Sequence, residues 1–263
     1  MTSPAAPRSA VITGSSSGIG LGIAEGFAGA GMNVMMNGIE PVDEIQPICD
    51  RLAKATGVKV AYEPADMMTP AGARTLAAAA EAAFGQVDVL VNNAGIQHVA
   101  AVEDFPDEKW DAVIALNLSA TFHASKALVG GMKARGWGRI INIASAHGLV
   151  ASPFKSAYNA AKHGVMGFTK TLALETAEHG VTVNAICPGY VWTPLVEKQI
   201  PDTMASRGLT AEQVKRDVLL AAQPTKRFAT VEEIAALAVF LCSDGAVSIT
   251  GTGISVDGGW TAQ

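Results

Sequence analysis

The chain has 263 residues, 49% of them hydrophobic and 6% aromatic, with a formal net charge of −5. That length suits one large α/β domain or two small ones, and the apolar content is ample for a buried core. The negative charge offers no general attraction to nucleic acid or to an anionic membrane, so an anionic ligand would need local positive groups. Cys49, Cys187 and Cys242 are odd in number, far apart and free of any CxxC or Cys/His spacing. Buried reduced thiols, no metal site and a cytoplasmic location are therefore expected. Residues 1–10 hold Pro4 and Pro7 but no apolar leader-like stretch, and the longest apolar run, 234–242, is too short to span a bilayer.

In chain order, residues 10–13 read as a strand that runs into Gly14-Ser15-Ser16-Ser17-Gly18-Ile19-Gly20 and then a helix to about residue 30. A strand at 33–36 ends Met36-Asn37-Gly38-Ile39-Glu40 and leads to a helix over 41–56. Strand 59–62, helix 70–84, strand 87–91 and helix 107–132 follow. Strand 139–144, helix 156–178, strand 181–186 and a last strand at 254–256 complete the pattern. Alternating strands and helices specify a parallel sheet, and strands that are apolar throughout specify one covered on both faces. The expectation is a single Rossmann-type, doubly wound α/β domain over 1–263. Residues 190–223 break the alternation with Pro194, Pro201, Gly208 and many charges. One or two short helices are expected there as a substrate lid, because ligands of open α/β sheets bind beyond the strands' carboxyl ends.

The turn after the first strand is placed to hold a nucleotide. Its glycines let the backbone approach a pyrophosphate, and the helix N-terminus adds free N–H groups and partial positive charge. Enzymes that use the 2′-phosphorylated cofactor place Arg or Lys in this turn or after the second strand. Neither position has one here, and Glu40 would repel a phosphate, so NAD is expected, with Asn37 and Gly38 beside the 2′-hydroxyl.

Tyr158 and Lys162 are four apart in a helical stretch and share one face. An ammonium about 4–5 Å from the phenol contributes ~3–4 kcal/mol at an effective dielectric of ~20. That pulls the phenol's pKa down from ~10 toward the range of a useful acid/base. Taken alone, such a pair more often decorates a solvated helix face.

The Gly14–Gly20 spacing resembles the TGxxxGIG pattern of the short-chain dehydrogenase/reductase family. Asn92-Asn93-Ala94-Gly95 resembles its NNAG segment, and Asn117, Ser145, Tyr158 and Lys162 fall in the order of its catalytic tetrad. The resemblance covers essentially the whole chain. It implies a seven-stranded sheet, a homotetramer, and a Tyr158 that exchanges a proton while hydride passes to the nicotinamide. Ser145 would orient the reacting oxygen, Lys162 would also hold the ribose, and Asn117 would order a water chain. The same resemblance assigns cofactor contacts to Gly14, Ser16, Ser17, Gly18, Ile19, Gly20, Asp66, Met67, Asn93, Ala94 and Gly95. After the sixth strand it adds Pro188, Gly189, Val191 and Thr193.

Gln97, His147, Lys155 and Gln199 are placed beside these motifs as donors that would converge on a carboxylate, with Lys155 supplying charge. The strings at 92–98, 144–150, 195–200 and 256–262 resemble bacterial family members that oxidise 3-hydroxybutyrate. That resemblance implies interconversion of (R)-3-hydroxybutyrate and acetoacetate, with Trp260 packing on the short carbon chain and Tyr190 bordering the pocket. The sequence departs from it at Tyr190, where Trp is usual, and at Trp192, Pro153 and Phe154. The alternatives are a longer 3-hydroxy acid, a 4-hydroxy acid such as 4-hydroxyvalerate, a 3-oxoacyl-thioester reductase, or a nucleotide-binding protein without turnover.

Overall fold

Strand β1 (Ser9–Ile12) is buried along its whole length. Ala10 and Ile12 point into one apolar core and Val11 into a second, the two-residue alternation of a strand covered on both faces. The computed structural model describes residues 7–262, apart from the side chains of Leu195, Gln199, Asp202, Ser206 and Arg207. The remaining strands are β2 (Asn33–Gly38), β3 (Val60–Pro64), β4 (Val89–Asn92), β5 (Gly138–Ile143), β6 (Val181–Pro188) and β7 (Gly253–Val256). Among the described residues they form one parallel sheet of seven strands in the order β3-β2-β1-β4-β5-β6-β7. The connections hold α1 (Gly18–Gly29), α2 (Val42–Thr56), α3 (Pro70–Phe84), α4 (Asp107–Ile114), α5 (Ala120–Arg135), α6 (Ser156–Thr176), α7 (Pro194–Arg207), α8 (Ala211–Gln213) and α9 (Val231–Leu241). The expected doubly wound sheet is the observed one.

Helices α1, α2 and α9 cover one face through residues such as Phe27, Cys49 and Ile234. Helices α3, α5 and α6 cover the other with Leu76, Leu128 and Leu172. Each large apolar side chain fully buried this way contributes about 1.5–3 kcal/mol. All three cysteines are buried and unbridged. The chain winds outward from β1 to β3, then returns to β4 on the other side of β1. The crevice beyond the carboxyl ends of β1 and β4 is thus the topological switch point, where such sheets take their ligands.

Two local features shape that crevice. The α4–α5 helix is continuous but carries a π-turn at Ala115–Ser119, with Asn117 at its centre. By length and composition alone residues 107–135 would pass for a membrane span, yet Ala120, Ala124, Leu128 and Met132 are buried against the sheet. The stretch 190–223 is largely helical as expected. It closes on its own small core of Val196, Ile200, Val214 and Leu219.

Candidate active site

The floor of the crevice is the glycine-rich turn. Gly14 sits at φ +60, and an added Cβ there would fall 2.8 Å from the Cα of Ala94. A Cβ on Gly20 would overlap the Gly14 carbonyl, so this turn closes only around glycine. Gly14 N donates to Asn37 Oδ1 (3.2 Å) and Ser15 N to the Asn37 carbonyl (2.7 Å). Thr13, 2% exposed, accepts through Oγ1 from Asn93 N (2.9 Å) and Ala94 N (3.0 Å). Asn93 Nδ2 returns bonds to the Thr13 and Gly14 carbonyls, locking the two motifs together. Ser17 is the N-cap of α1 but makes no side-chain cap bond, whereas Thr69, Thr193 and Thr230 cap α3, α7 and α9. The first-turn amides of α1 therefore have no side-chain cap from Ser17 and remain available to an anion.

A cleft of about 740 Å³ opens over this floor, within the usual range for a ligand pocket. Of the expected cofactor residues, Gly14, Ser16, Ser17, Gly18, Ile19, Asn37, Gly38, Asp66, Met67, Asn93, Ala94, Gly95, Tyr158, Lys162, Pro188, Gly189 and Thr193 line it. Gly20 lies beneath the turn, and Val191 is buried with its backbone paired to Ala229; neither is on the lining. Asn37 Nδ2 donates to the Glu63 and Ala65 carbonyls (3.0 Å each), so its side chain braces the turn against β3. At the far end Glu40 accepts from Ser16 Oγ (2.7 Å), and Tyr62 donates to the Glu40 carbonyl (2.8 Å). Burial alone would raise the Glu40 pKa, but hydrogen bonds from Ser16, the backbone and Tyr62 outweigh it and hold the carboxylate ionised. Glycine cradle, open helix end and cleft together fit a dinucleotide.

Toward the middle of the sheet stand the expected tetrad residues. Asn117, 1% exposed, is fixed by two 2.8 Å bonds with the backbone of Ile96. Its place in a π-turn is a common device for presenting backbone groups at functional sites. Ser145 caps the short turn after β5, and Tyr158 lies in the first turns of α6, with Lys162 one turn on. The spacing predicts an ammonium beside the phenol. Lys162 Nζ donates to the Ile143 carbonyl at 2.7 Å and stands 5.6 Å from the Tyr158 ring centre. The Tyr158 pKa is raised, chiefly by burial, against the pull of a hydrogen bond from Ser145. Burial pushes Lys162 down to about 8.

Gln97, Ser145 and Tyr158 also line the cleft, whereas His147, Lys155, Tyr190 and Trp260 are not part of its lining and cluster beside Tyr158. His147 meets Tyr158 edge-on at 5.8 Å and Trp260 edge-on at 4.9 Å, and Trp260 stacks on Tyr190. Lys155 Nζ stands 5.9 Å from the Tyr190 ring centre. It has no salt bridge among the described residues, and burial lowers its pKa. Gln199 lies in α7, its side chain outside the described residues. Both ring nitrogens of His147 already have partners: Nδ1 lies 3.4 Å from Ser145 Oγ and Nε2 2.7 Å from Ser152 Oγ. Burial first, then the charge of Lys155, pushes the His147 pKa down to about 4, so the ring is neutral. Ser152, Thr13 and Tyr62 were missed in the sequence. Only Tyr62 left a signal there, as an aromatic in the strand that pairs with the Asn37 strand. No cluster of three or more metal-ligating side chains occurs among the described residues.

Comparison with known proteins agrees with this geometry. The family model for short chain dehydrogenases matches residues 8–203. The chain is 59% identical over 256 residues to a D-beta-hydroxybutyrate dehydrogenase of Rhizobium meliloti, covering 97% of this chain and 99% of that one. It is 52% identical to a D-beta-hydroxybutyrate dehydrogenase of Cupriavidus necator, covering 97% and 98%. L-sorbose reductase of Gluconobacter frateurii, solved with NADPH and L-sorbose, superimposes with a TM-score of 0.92 at 37% identity over 98% of both chains. With the motifs, the sheet order and these matches in agreement, the chain is a member of the short-chain dehydrogenase family of oxidoreductases.

Proposed function

We propose that the protein is an NAD-dependent oxidoreductase interconverting (R)-3-hydroxybutyrate and acetoacetate. Lys155 carries this reading: a half-buried ammonium without a carboxylate partner among the described residues, joined to Tyr158 by the rings of Tyr190, Trp260 and His147. A cation that burial has partly stripped of water gains from an anion set beside it. A short hydroxy acid brings that anion with its hydroxyl a few bonds away, and the names of the two bacterial relatives support the same substrate. Gln97 on the cleft wall is a second donor to the carboxylate, and Gln199 a third.

Tyr158 takes the alcohol proton in the oxidative direction and returns it in the reductive one, while Ser145 donates a hydrogen bond to the reacting oxygen. When bound, the nicotinamide accepts or returns the hydride and adds positive charge near the phenol. Lys162 holds the ribose and Asn117 orders water behind it. Glu40 favours NAD, since an ionised carboxylate bonded to Ser16 repels a 2′-phosphate and accepts from a 2′-hydroxyl. Thr193 lies beside Gly18, where an added Cβ would meet its methyl at 3.7 Å, at the root of the segment 190–223, which suits a lid hinged on the nucleotide floor. Phe122 and Leu174, 44% and 82% exposed on α5 and α6, support burial of those faces in a homotetramer. A cytoplasmic setting suits three unbridged thiols.

A panel of hydroxy acids with NAD+ and NADP+, followed by absorbance of the reduced cofactor, tests the reading. The expected result is the highest kcat/KM with (R)-3-hydroxybutyrate and NAD+. Tyr190, smaller than the Trp expected there, favours a longer 3-hydroxy or a 4-hydroxy acid as the second reading. Equal or higher kcat/KM with NADP+ would refute the cofactor assignment, and no turnover with any hydroxy acid would refute the function.

A further inference from the structure

We propose that Asn159 is a positioning residue for substrate selection: its side-chain amide bridges the carbonyls of Ser152 and Lys155, holds the turn between them closed, and so keeps the Lys155 ammonium beside Tyr190. The proposal rests on the oxidoreductase reading above, in which Lys155 reads the substrate carboxylate. It assigns a role to a residue outside the tetrad and outside the aromatic cluster.

Lys155 stands where local preference would not put it. It occupies the N-cap of α6 and makes no side-chain cap bond. N-caps favour Ser, Thr, Asp or Asn, and the partial positive charge of a helix N-terminus opposes an ammonium. The residue before it, Phe154, has φ +65 and is 58% exposed. A bulky residue in the left-handed region is strained, and it persists only where its surroundings hold it. The exposed ring is not what holds it, so the turn needs a fastening from outside.

Asn159, one residue past Tyr158 on α6, supplies that fastening. Its Nδ2 donates to the Ser152 carbonyl on one side of Phe154 and to the Lys155 carbonyl on the other, at 3.0 Å each. Helical side chains lean back over the preceding turn, which brings this amide within reach of both oxygens. Asn159 Oδ1 is buried without a partner among the described residues, so the donors alone orient the group. Turned over, the amide would set its oxygen against two carbonyl oxygens. The Asn159 backbone N–H adds a 2.9 Å bond to the Lys155 carbonyl. Between these points the Phe154 carbonyl accepts from Ala100 N at 3.0 Å, which ties the turn to the segment that carries Gln97. From the closed turn Lys155 Nζ reaches 5.9 Å from the Tyr190 ring centre. On an open turn the same side chain would spread over its rotamers and meet a carboxylate there less often.

Steady-state kinetics of the wild type, Asn159→Leu, Lys155→Ala and the double variant, with (R)-3-hydroxybutyrate and uncharged 2-butanol, test the proposal. Asn159→Leu should raise KM for 3-hydroxybutyrate about three- to tenfold, the range of one lost hydrogen bond, with kcat little changed and a far smaller effect on 2-butanol. In the Lys155→Ala background the same substitution should add no further loss, because the group it positions is gone. An equal loss in both backgrounds, or on both substrates, overturns the proposal. If Asn159→Leu fails to fold, Asn159→Ala removes the same donor without added bulk. A second measurement needs no substrate. Hydrogen exchange of the Ala100 amide, followed in 1H–15N spectra, should quicken about fivefold or more in the Asn159 variant, and an unchanged rate overturns the proposal. A wild type without turnover of 3-hydroxybutyrate, or a Lys155→Ala loss equal on both substrates, would sink the substrate reading alone, since the Ala100 amide still judges the Asn159 clamp.

Discussion

The two halves of the cleft are built from different material. The nucleotide half is mostly backbone: a strand end, a glycine turn and a helix N-terminus, with Thr13, Asn37 and Asn93 bracing the main chain from behind. The proposed substrate side, which extends beyond the cleft lining, is mostly side chain. Gln97 follows β4, His147 follows β5, Lys155 precedes α6, Tyr190 follows β6 and Trp260 follows β7. A cofactor with many peptide-like contacts is held by geometry that few substitutions can alter, whereas a small substrate is chosen by a handful of replaceable groups. Relatives can therefore keep the floor and change the wall. The solved L-sorbose reductase, 37% identical yet superimposing over 98% of the chain, fits that pattern.

The largest effect expected lies where the halves meet. Tyr158→Phe should cut turnover by ~10²–10⁴-fold while NADH binding, read by fluorescence titration, stays nearly unchanged. Retention of more than about a tenth of the rate would remove the phenol from the proton transfer.

The second test concerns the wall without any substrate. His147 has its pKa pushed down to about 4, below the value of ~6.5 of an unfolded histidine. Between those values the unfolded chain binds a proton that the folded one refuses. Stability is therefore complete above ~6.5 and lost as pH falls, a loss approaching about 3 kcal/mol near pH 4. Urea denaturation at several pH values should show that slope, and His147→Gln should flatten it; an equal slope in both would mean the ring protonates freely in the fold.

Lys155→Ala should cost about ten- to a hundredfold in kcat/KM with 3-hydroxybutyrate and far less with 2-butanol. Equal losses on both substrates would mean that the lysine supports the wall and does not read the carboxylate. The smallest contrast compares two helix ends. Thr230→Ala, which breaks the capping box of α9, should lower unfolding free energy by about 1 kcal/mol. Ser17→Ala should leave stability unchanged, because Ser17 makes no cap bond, and weaken NADH binding instead. A stability loss at Ser17 matching that at Thr230 would show that the open helix end is structural.

Much of this is legible in the sequence alone. Strand and helix order, both covered sheet faces and the glycine turn are patterns within short windows, where backbone preference and burial act locally. The alternation of Ala10, Val11 and Ile12 between two cores is already present in the apolar run. The order of Asn117, Ser145, Tyr158 and Lys162 was equally plain, yet their electrostatics were not. Spacing put an ammonium near the phenol, but only the packed fold turns Lys162 to the Ile143 carbonyl and lets burial raise the Tyr158 pKa. Tertiary structure alone likewise engaged both nitrogens of His147 and joined Lys155 to Tyr158 through three rings from three segments. Desolvation and hydrogen bonding depend on which groups meet, and groups far apart in sequence meet only after the sheet has closed.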